Sequence, residues 1–346
     1  MEIALILEKL IFIVIVFAVT MGFALYSTYA ERKVAGFLQD RYGPNRAGIF
    51  GLLQPICDGA KLFAKEEFMP NTKNKILFTV GPAIAMIVSL LGTSMIPWSR
   101  AFQIPGYGSF IPQVGDVNIA ILYILAVLST GVYGIVIGAW ASNNKYSLMG
   151  AIRAGAQMIS YEIAMGLSLI ALIMMTGTMS LTEITEQQTA WGGMRWNIIL
   201  QPITFLIFLI CSFAECNRTP FDLAECESEL VNGHHTEFSS LKMGFYMFSE
   251  YASMFFSSAL ISVLFLGGYS YPGIDSVMEY NVNLASALGV VSLLAKTSFF
   301  IFFYMWVRWT IPRFRYDQLM KLGWKILFPL ALLNILLVGA GVIVFN

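Results

Sequence analysis

This sequence has little charge. Asp, Glu, Lys and Arg make up 12% of its residues, about half their share in a soluble globular domain, while 57% are hydrophobic and the mean hydropathy is +0.70. That balance excludes a soluble globular chain and calls for an integral membrane protein. Acids and bases number 21 each, so no net charge points to nucleic acid, and the placement of charge carries more than its sum. Cysteine is scarcer still, at four residues. Cys57, Cys211, Cys216 and Cys226 form no C-x-x-C pair, which argues against a metal or cluster site built by this chain alone. Their expected position near a reducing inner face disfavours disulfides, and any redox centre is assigned to a partner. The two histidines, His234 and His235, are adjacent and would diverge on a helix. A solvated or loop role is expected for them, with help in proton exchange left open. No internal repeat is found, which weakens a transporter built from inverted repeats, and residues 1–346 are read as one domain.

What is present is a series of apolar runs of about 20 residues, the length that crosses roughly 30 Å of hydrocarbon. They fall at about 10–30, 76–97, 118–140, 157–178, 196–214, 243–267, 284–307 and 324–345. The first run lacks a small-residue cleavage pattern after it and is read as a retained helix. Eight spans put both termini on one side. The loops 31–75, 141–156, 215–242 and 308–325 then hold every basic residue except Lys9, Arg100, Arg195 and Lys296. By the positive-inside rule that side is cytoplasmic and both termini lie outside. The opposite loops, around Pro97–Asp116, Ser180–Arg195 and Gly268–Tyr280, are rich in turn formers and aromatics, as short turns and interfacial anchors should be.

The inner loops carry the chemistry. Between Glu215 and Glu250 stand seven acids (Glu215, Asp222, Glu225, Glu227, Glu229, Glu237, Glu250) against Arg218 and Lys242. A carboxylate costs roughly 2.5–3.5 kcal/mol at the centre of a spanning helix, so acids at or near membrane depth suggest a route for protons or cations. If the segment after Pro220 is helical, Asp222, Glu225 and Glu229 share one side, where like charges repel unless hydrated, neutralised or protonated. Glu162, some six residues into the fourth run, needs a partner or water. Lys296, inside the seventh, would pair with a buried acid or snorkel outward. In the first inner loop Glu31, Arg32, Lys33, Asp40, Arg41 and Arg46 surround a Gly43-Pro44-Asn45 turn, a density suited to docking or to a pocket. From Gly51 to Glu67, Leu52, Leu53, Ile56, Ala60, Phe63 and Ala64 can share one side of a helix opposite Asp58, Lys61 and Lys65. Such an interfacial amphipathic helix can frame a side opening for a lipophilic molecule or simply seal the bundle. The expected fold class is therefore an all-α integral membrane protein, eight transmembrane helices plus a cytoplasmic amphipathic helix.

These segments together resemble one family. Glu31, Arg32 and Lys33, the run Gly43–Gly48, Gln54 and Pro55, Asp58 with Lys61, Lys65 and Glu66, Ser160–Glu162, Asn217–Leu223, and Thr236 with Glu237 occur in the order found in the NuoH family of membrane subunits of respiratory complex I. The resemblance implies a place at the heel of the complex, forming much of the chamber that admits the quinone tail. Flavin and iron–sulfur clusters are then expected on hydrophilic-arm partners only, with small membrane subunits, antiporter-like subunits and lipid as further neighbours, in the bacterial inner membrane. It places Glu31, Arg32, Arg41, Arg46 and Asp58 around the quinone chamber and docking face, and Glu162, Asp222, Glu225, Glu227, Glu229 and Glu237 on a proton path. The chain departs from the family's habit at Ala224 and Cys226, where Pro and Gly are common, at His234, where an apolar residue is common, and at Phe238, where Tyr is frequent. No residue is expected to act as a covalent catalyst.

Two other readings stay open at this point. A membrane component of energy-converting hydrogenases shares the Pro-Phe-Asp and acidic elements but typically lacks the full Gly-Pro-Asn-Arg segment, and a free-standing cation or proton transporter would be active without partners. Replacing Glu225 or Glu229 with Gln is expected to lower both quinone reductase activity and coupled pumping in the assembled complex; retention of both at full level contradicts the proton-path assignment.

Overall fold

A computed structural model describes residues 2–70, 74–104, 108–225 and 227–345. Helix α1, Glu2–Leu38, is followed by the short α2, Gln54–Ala64, and by α3, Lys75–Thr93. A small antiparallel hairpin, β1 (Phe102–Ile104) and β2 (Gly108–Phe110), pairs Phe102 with Phe110 and is the one departure from an all-helical chain among the described residues. Next come α4, Ala120–Ala141, and α5, Lys145–Thr176, then α6 (Leu181–Gln187), α7 (Ala190–Gly193), α8 (Asn197–Leu200) and α9 (Pro202–Glu215). The remaining helices are α10 (Glu227–Leu230), α11 (Ser240–Phe265), α12 (Ile274–Tyr280), α13 (Val282–Thr310), α14 (Tyr316–Lys321) and α15 (Phe328–Phe345). A π-helical turn at Leu322–Leu327 joins α14 to α15, so that Tyr316–Val344 forms a single apolar span.

Seven helices among the described residues have the length and composition to cross a membrane. The fifth expected run differs. It divides at Gln201, whose ψ of 64° is not helical, because the residue before a proline is driven out of the α region and Pro202 then opens a new helix. The result, α9, has 14 residues and is about 21 Å long at 1.5 Å per residue, short of the hydrocarbon thickness. The fourth run differs in the other direction. Helix α5 begins at Lys145, where the Asn144 side chain accepts from the Tyr146 N–H, and ends at Gly177 with φ 71°. Glu162 consequently stands mid-helix, deeper than a count from residue 157 places it.

Helix α11 is the axis of the bundle. Its apolar window is 83% buried, against 17% for α15, and it packs on α3, α13, α1 and α2. Helices α3 and α4 approach most closely at paired glycines, where a Cβ on Gly81 would lie 2.6 Å from the Gly138 Cα; small residues at a membrane helix contact allow this approach. The packing gathers the four basic inner loops at one end. Ion pairs there join Arg153 to Glu229, Arg218 and Arg308 to Glu31, Arg313 to Asp222, and Lys242 to Glu67.

Lys296 does neither of the things its sequence context suggests. Its ammonium donates to the carbonyls of Leu266, Gly268 and Ser270 at 2.7, 2.9 and 2.5 Å and lies 5.4 Å from the Trp196 ring centroid. Carbonyls of the turn that follows α11 are thereby gathered on a cation, which also suits the negative end of the helix dipole. Lys296→Met is expected to destabilise the folded bundle by about 1–3 kcal/mol, the cost of leaving buried polar groups unpaired. Thermal unfolding of the purified assembly reads this, and an unchanged midpoint with normal assembly contradicts the capping role.

Candidate functional site: a buried ion cluster beside two adjacent cavities

The site is built around Glu31, near the inner end of α1, whose side chain is 8% exposed. Its Oε2 accepts from Arg218 at 3.0 Å and from the Tyr251 hydroxyl at 3.0 Å, and its Oε1 meets Arg308 at 2.5 Å. Arg218, on the loop after α9, lies over the Tyr251 ring at 4.1 Å, while its Nε and Nη2 have no hydrogen-bond partner among the described residues. A buried ion is tolerated only when paired and hydrogen-bonded. Four separate elements, α1, α11, α13 and the loop after α9, each supply one member of this cluster.

Outward from Glu31 lies an open cavity of about 730 Å³ whose lining includes Glu31, Arg32, Arg41, Arg46, Tyr251 and Trp309. Its floor is the turn at Gly43–Pro44–Asn45, which folds back so closely that the residue at 51 must be glycine, with φ 86° and no room for a Cβ against the Pro44 carbonyl. A second, mainly apolar pocket of about 330 Å³ lies between α1, α2 and α11, with Leu25, Pro55, Leu62, Met247 and Phe248 in its walls. Thr28, Arg32 and Tyr251 line both spaces. Arg32 pairs with Asp58 at 2.6 Å, and Gln54 donates to the other Asp58 oxygen at 3.0 Å, which fixes α2 against α1. The five residues expected at the chamber are thus brought to one region. The apolar side of α2 faces outward, with Phe63 75% and Ile56 55% exposed, as an interfacial amphipathic helix presents it to lipid.

The acidic loop is arranged differently from the helical row considered for it. Residues 221–225 are not helical, and α10 is a single turn. Asp222 pairs with Arg313 at 3.0 Å, Glu225 with His235 at 2.5 Å, Glu229 with Arg153 at 2.5 Å, and Glu237 accepts from Asn144 at 2.6 Å. Like charges on one helix face repel; separated, each acid finds its own counter-charge or donor. The Glu227 side chain lies outside the described residues. His234 and His235 are not solvated. Both are buried, with ring centroids 3.7 Å apart. Glu250, on α11, lies 3.7 Å from His235 Nε2. The donor atoms of Glu225, His235 and Glu250 fall within 4.8 Å of one another, an arrangement that the imidazole already fills as the cation between two carboxylates.

A sequence profile described as NADH dehydrogenase matches residues 10–339. The chain belongs to this family. It is 66% identical over 344 residues to the H subunit of the NADH-quinone oxidoreductase of Flavobacterium johnsoniae, covering 99% of this chain and 97% of that one. It is 63% identical to the protein of the same name from Flavobacterium psychrophilum over the whole of both chains, and 45% identical to its counterpart in Geobacter sulfurreducens over 94% of this chain and 92% of that one.

For a member of this family, the interior polar groups are as informative as the loop. An internal cavity of about 50 Å³ is bounded by Glu215, Asn217, His234, Ser249 and Glu250, room for water with several polar partners. Gln157 donates to Asn217 and to the Ala214 carbonyl, and further along α5 Glu162 accepts from Ser129. Glu215 feels the charge of Glu162. Sequence reasoning left Glu215, Glu250, Arg218 and the histidines out of the site, although Glu250 sits inside an apolar run just as Glu162 does, and that signal applies equally to both.

The loop's protonation follows from its burial. Burial opposes a charge on both histidines, and beside charged His235 the His234 ring is pushed down to about 3 and stays neutral. For His235 the burial effect is outweighed by hydrogen bonds and charge from Glu225 and Glu250, which push it up from 6.5 to about 9. The same contact holds Glu225 below the usual carboxylate range against its own burial. Burial first, then Glu225, raises Asp222 from 3.8 to about 6 in spite of Arg313. A raised native value stabilises below the unfolded value and is lost as pH climbs through the native one. The Asp222 contribution therefore fades between about pH 4 and 6, and the His235 contribution between about 6.5 and 9. Amide hydrogen-exchange protection of residues 222–237, corrected for intrinsic rate, is expected to fall as pH rises from 7 towards 9 and to lose that dependence in His235→Gln. An identical profile in the variant contradicts the ion pair's role.

Proposed function

We propose that this chain works as the quinone-chamber membrane component, of NuoH type, of a proton-translocating NADH-quinone oxidoreductase. In this reading the apolar pocket between α1, α2 and α11 admits the quinone tail, and the charged cavity beside Glu31 borders the path of its headgroup. The observation that supports the reading is the adjacency of the two spaces, whose walls share Thr28, Arg32 and Tyr251: an isoprenoid tail needs an apolar wall next to the lipid, and a reducible headgroup needs polar groups at the far end. Electrons arrive from hydrophilic-arm partners that carry the flavin and iron–sulfur clusters. Reduction of a quinone by two electrons requires two protons, so negative charge appears next to the Glu31 cluster before protonation is complete.

That charge acts on Arg218, which is shared between Glu31 and the field of Glu250. Displacing the guanidinium by even a small distance changes the balance between Glu250, His235 and Glu225, and through the internal cavity the balance at Glu215 and Glu162. Glu31, Arg32, Arg41, Arg46 and Asp58 serve the chamber and the docking face; Glu162, Asp222, Glu225, Glu227, Glu229 and Glu237 serve the proton path, joined by Glu215 and Glu250. The chain forms one transmembrane domain of the bacterial inner membrane, with the acidic loop cytoplasmic and both termini outside. Its neighbours are the quinone-site and iron–sulfur subunits, the small membrane subunits, the antiporter-like subunits and lipid. The near-full-length identity to proteins named as quinone oxidoreductase subunits favours this over both the hydrogenase reading and a transporter acting alone.

The test uses tail length. Leu62→Trp or Met247→Trp, which narrows the apolar pocket without touching the ion cluster, is expected to raise KM for a long-tailed quinone severalfold in the assembled complex and to leave KM for a short-tailed analogue nearly unchanged. Equal effects on both substrates, or none on either, contradict the pocket as the tail's route.

A further inference from the structure

The short helix α9 leaves a hollow on the membrane face opposite the acidic loop. Where α8 stops at Leu200 and α9 starts at Pro202, a cavity of about 640 Å³ opens between this break, the end of α5 and α15. Its walls include Ile203, Leu337 and Val342, with Leu337 55% exposed. Arg195 also borders it. This guanidinium is exposed, stacks on the Trp191 ring at 5.9 Å, and forms no ion pair with a carboxylate among the described residues. Inside, Gln201 is 4% exposed and its Oε1 has no hydrogen-bond partner, while its Nε2 donates to the Ala171 carbonyl.

We propose that this hollow is a binding site for one anionic phospholipid of the leaflet on the Arg195 side. Hydrocarbon must fill a gap that a short helix leaves in the bilayer, and the apolar lower wall offers an acyl chain a groove out of the mobile lipid. Arg195 stands at the mouth without a counter-charge, in place to meet a phosphate oxygen, and the neighbouring Trp191 is of the kind that anchors at the headgroup level. The Gln201 oxygen is itself sealed within the helix break, so the charged contact at the mouth falls to Arg195. The exposed α15 wall is continuous with the lipid-facing surface of the bundle, and Gly341 on that wall has open space where a side chain would stand.

The experiment uses the assembled complex in vesicles of phosphatidylethanolamine and phosphatidylglycerol, with a trace of phosphatidylglycerol or phosphatidylcholine carrying a diazirine on one acyl chain. After illumination, peptides covering residues 195–203 and 334–342 are expected to be labelled severalfold more than the lipid-exposed face of α13 around Val291 and Phe299, and more by phosphatidylglycerol than by phosphatidylcholine. Arg195→Gln is expected to abolish the preference between the two lipids, and Gly341→Trp to remove labelling in the hollow without changing it on α13. Labelling no greater than on α13 overturns the proposal, as does a photoreactive residue at position 338 that crosslinks to another polypeptide. The ratios measured on the unsubstituted complex decide the matter even where a variant does not assemble.

Discussion

The carboxylate of Glu31, held between Arg218, Arg308 and the Tyr251 hydroxyl, is the contact on which the inner face depends. Each partner comes from a different part of the chain, so the pairing ties α1, α11, α13 and the acidic loop together at one point. Ions this deeply buried contribute little net stability, because their desolvation cancels much of their attraction. What they confer is alternatives. Removing or adding one charge beside such a cluster redistributes all the others, which is what a device that senses a redox event needs. The same cluster lies between the cavity next to Arg41 and Arg46 and the interior groups next to Glu250, which makes it a structural joint between them.

The acidic loop adds a second layer to this arrangement. Its acids are dispersed onto Arg313, His235, Arg153 and Asn144, so the loop is held by several unlike contacts and no single one dominates it. A neutral imidazole in ring contact with a charged one places a proton acceptor beside a proton donor in a space closed to bulk water. That juxtaposition arises because His234 and His235 are adjacent in the chain and are both buried.

Much of this is legible in the sequence. Apolar runs of spanning length mark the helices, and the asymmetric basic residues mark the two faces that the ion pairs then populate. The family resemblance groups Glu31, Arg32, Arg41, Arg46 and Asp58, and the structure brings them to a shared region. What cannot be read is pairing across elements. Nothing near Lys296 in the chain announces the three carbonyls it holds, since they belong to residues 26 to 30 positions away. The loop acids fit a helical period, yet their partners Arg153 and Arg313 lie on α5 and beyond α13. Gln201–Pro202 is a local signal for a helix break, and hydropathy masks it, because hydropathy counts apolar residues without regard to whether the backbone can continue.

Tyr251 and Glu250 are successive residues of α11, and neighbours on an α-helix point about 100° apart. Tyr251 borders the charged cavity beside Glu31, and Glu250 borders the small cavity beside His234. A partition one helix thick thus stands between the two compartments, and it cannot turn by a few degrees without altering what both sides see. Mechanical transmission between the substrate and the titrating groups would then need no long lever: a small twist of a single rod, pivoting where its residues change allegiance, would serve.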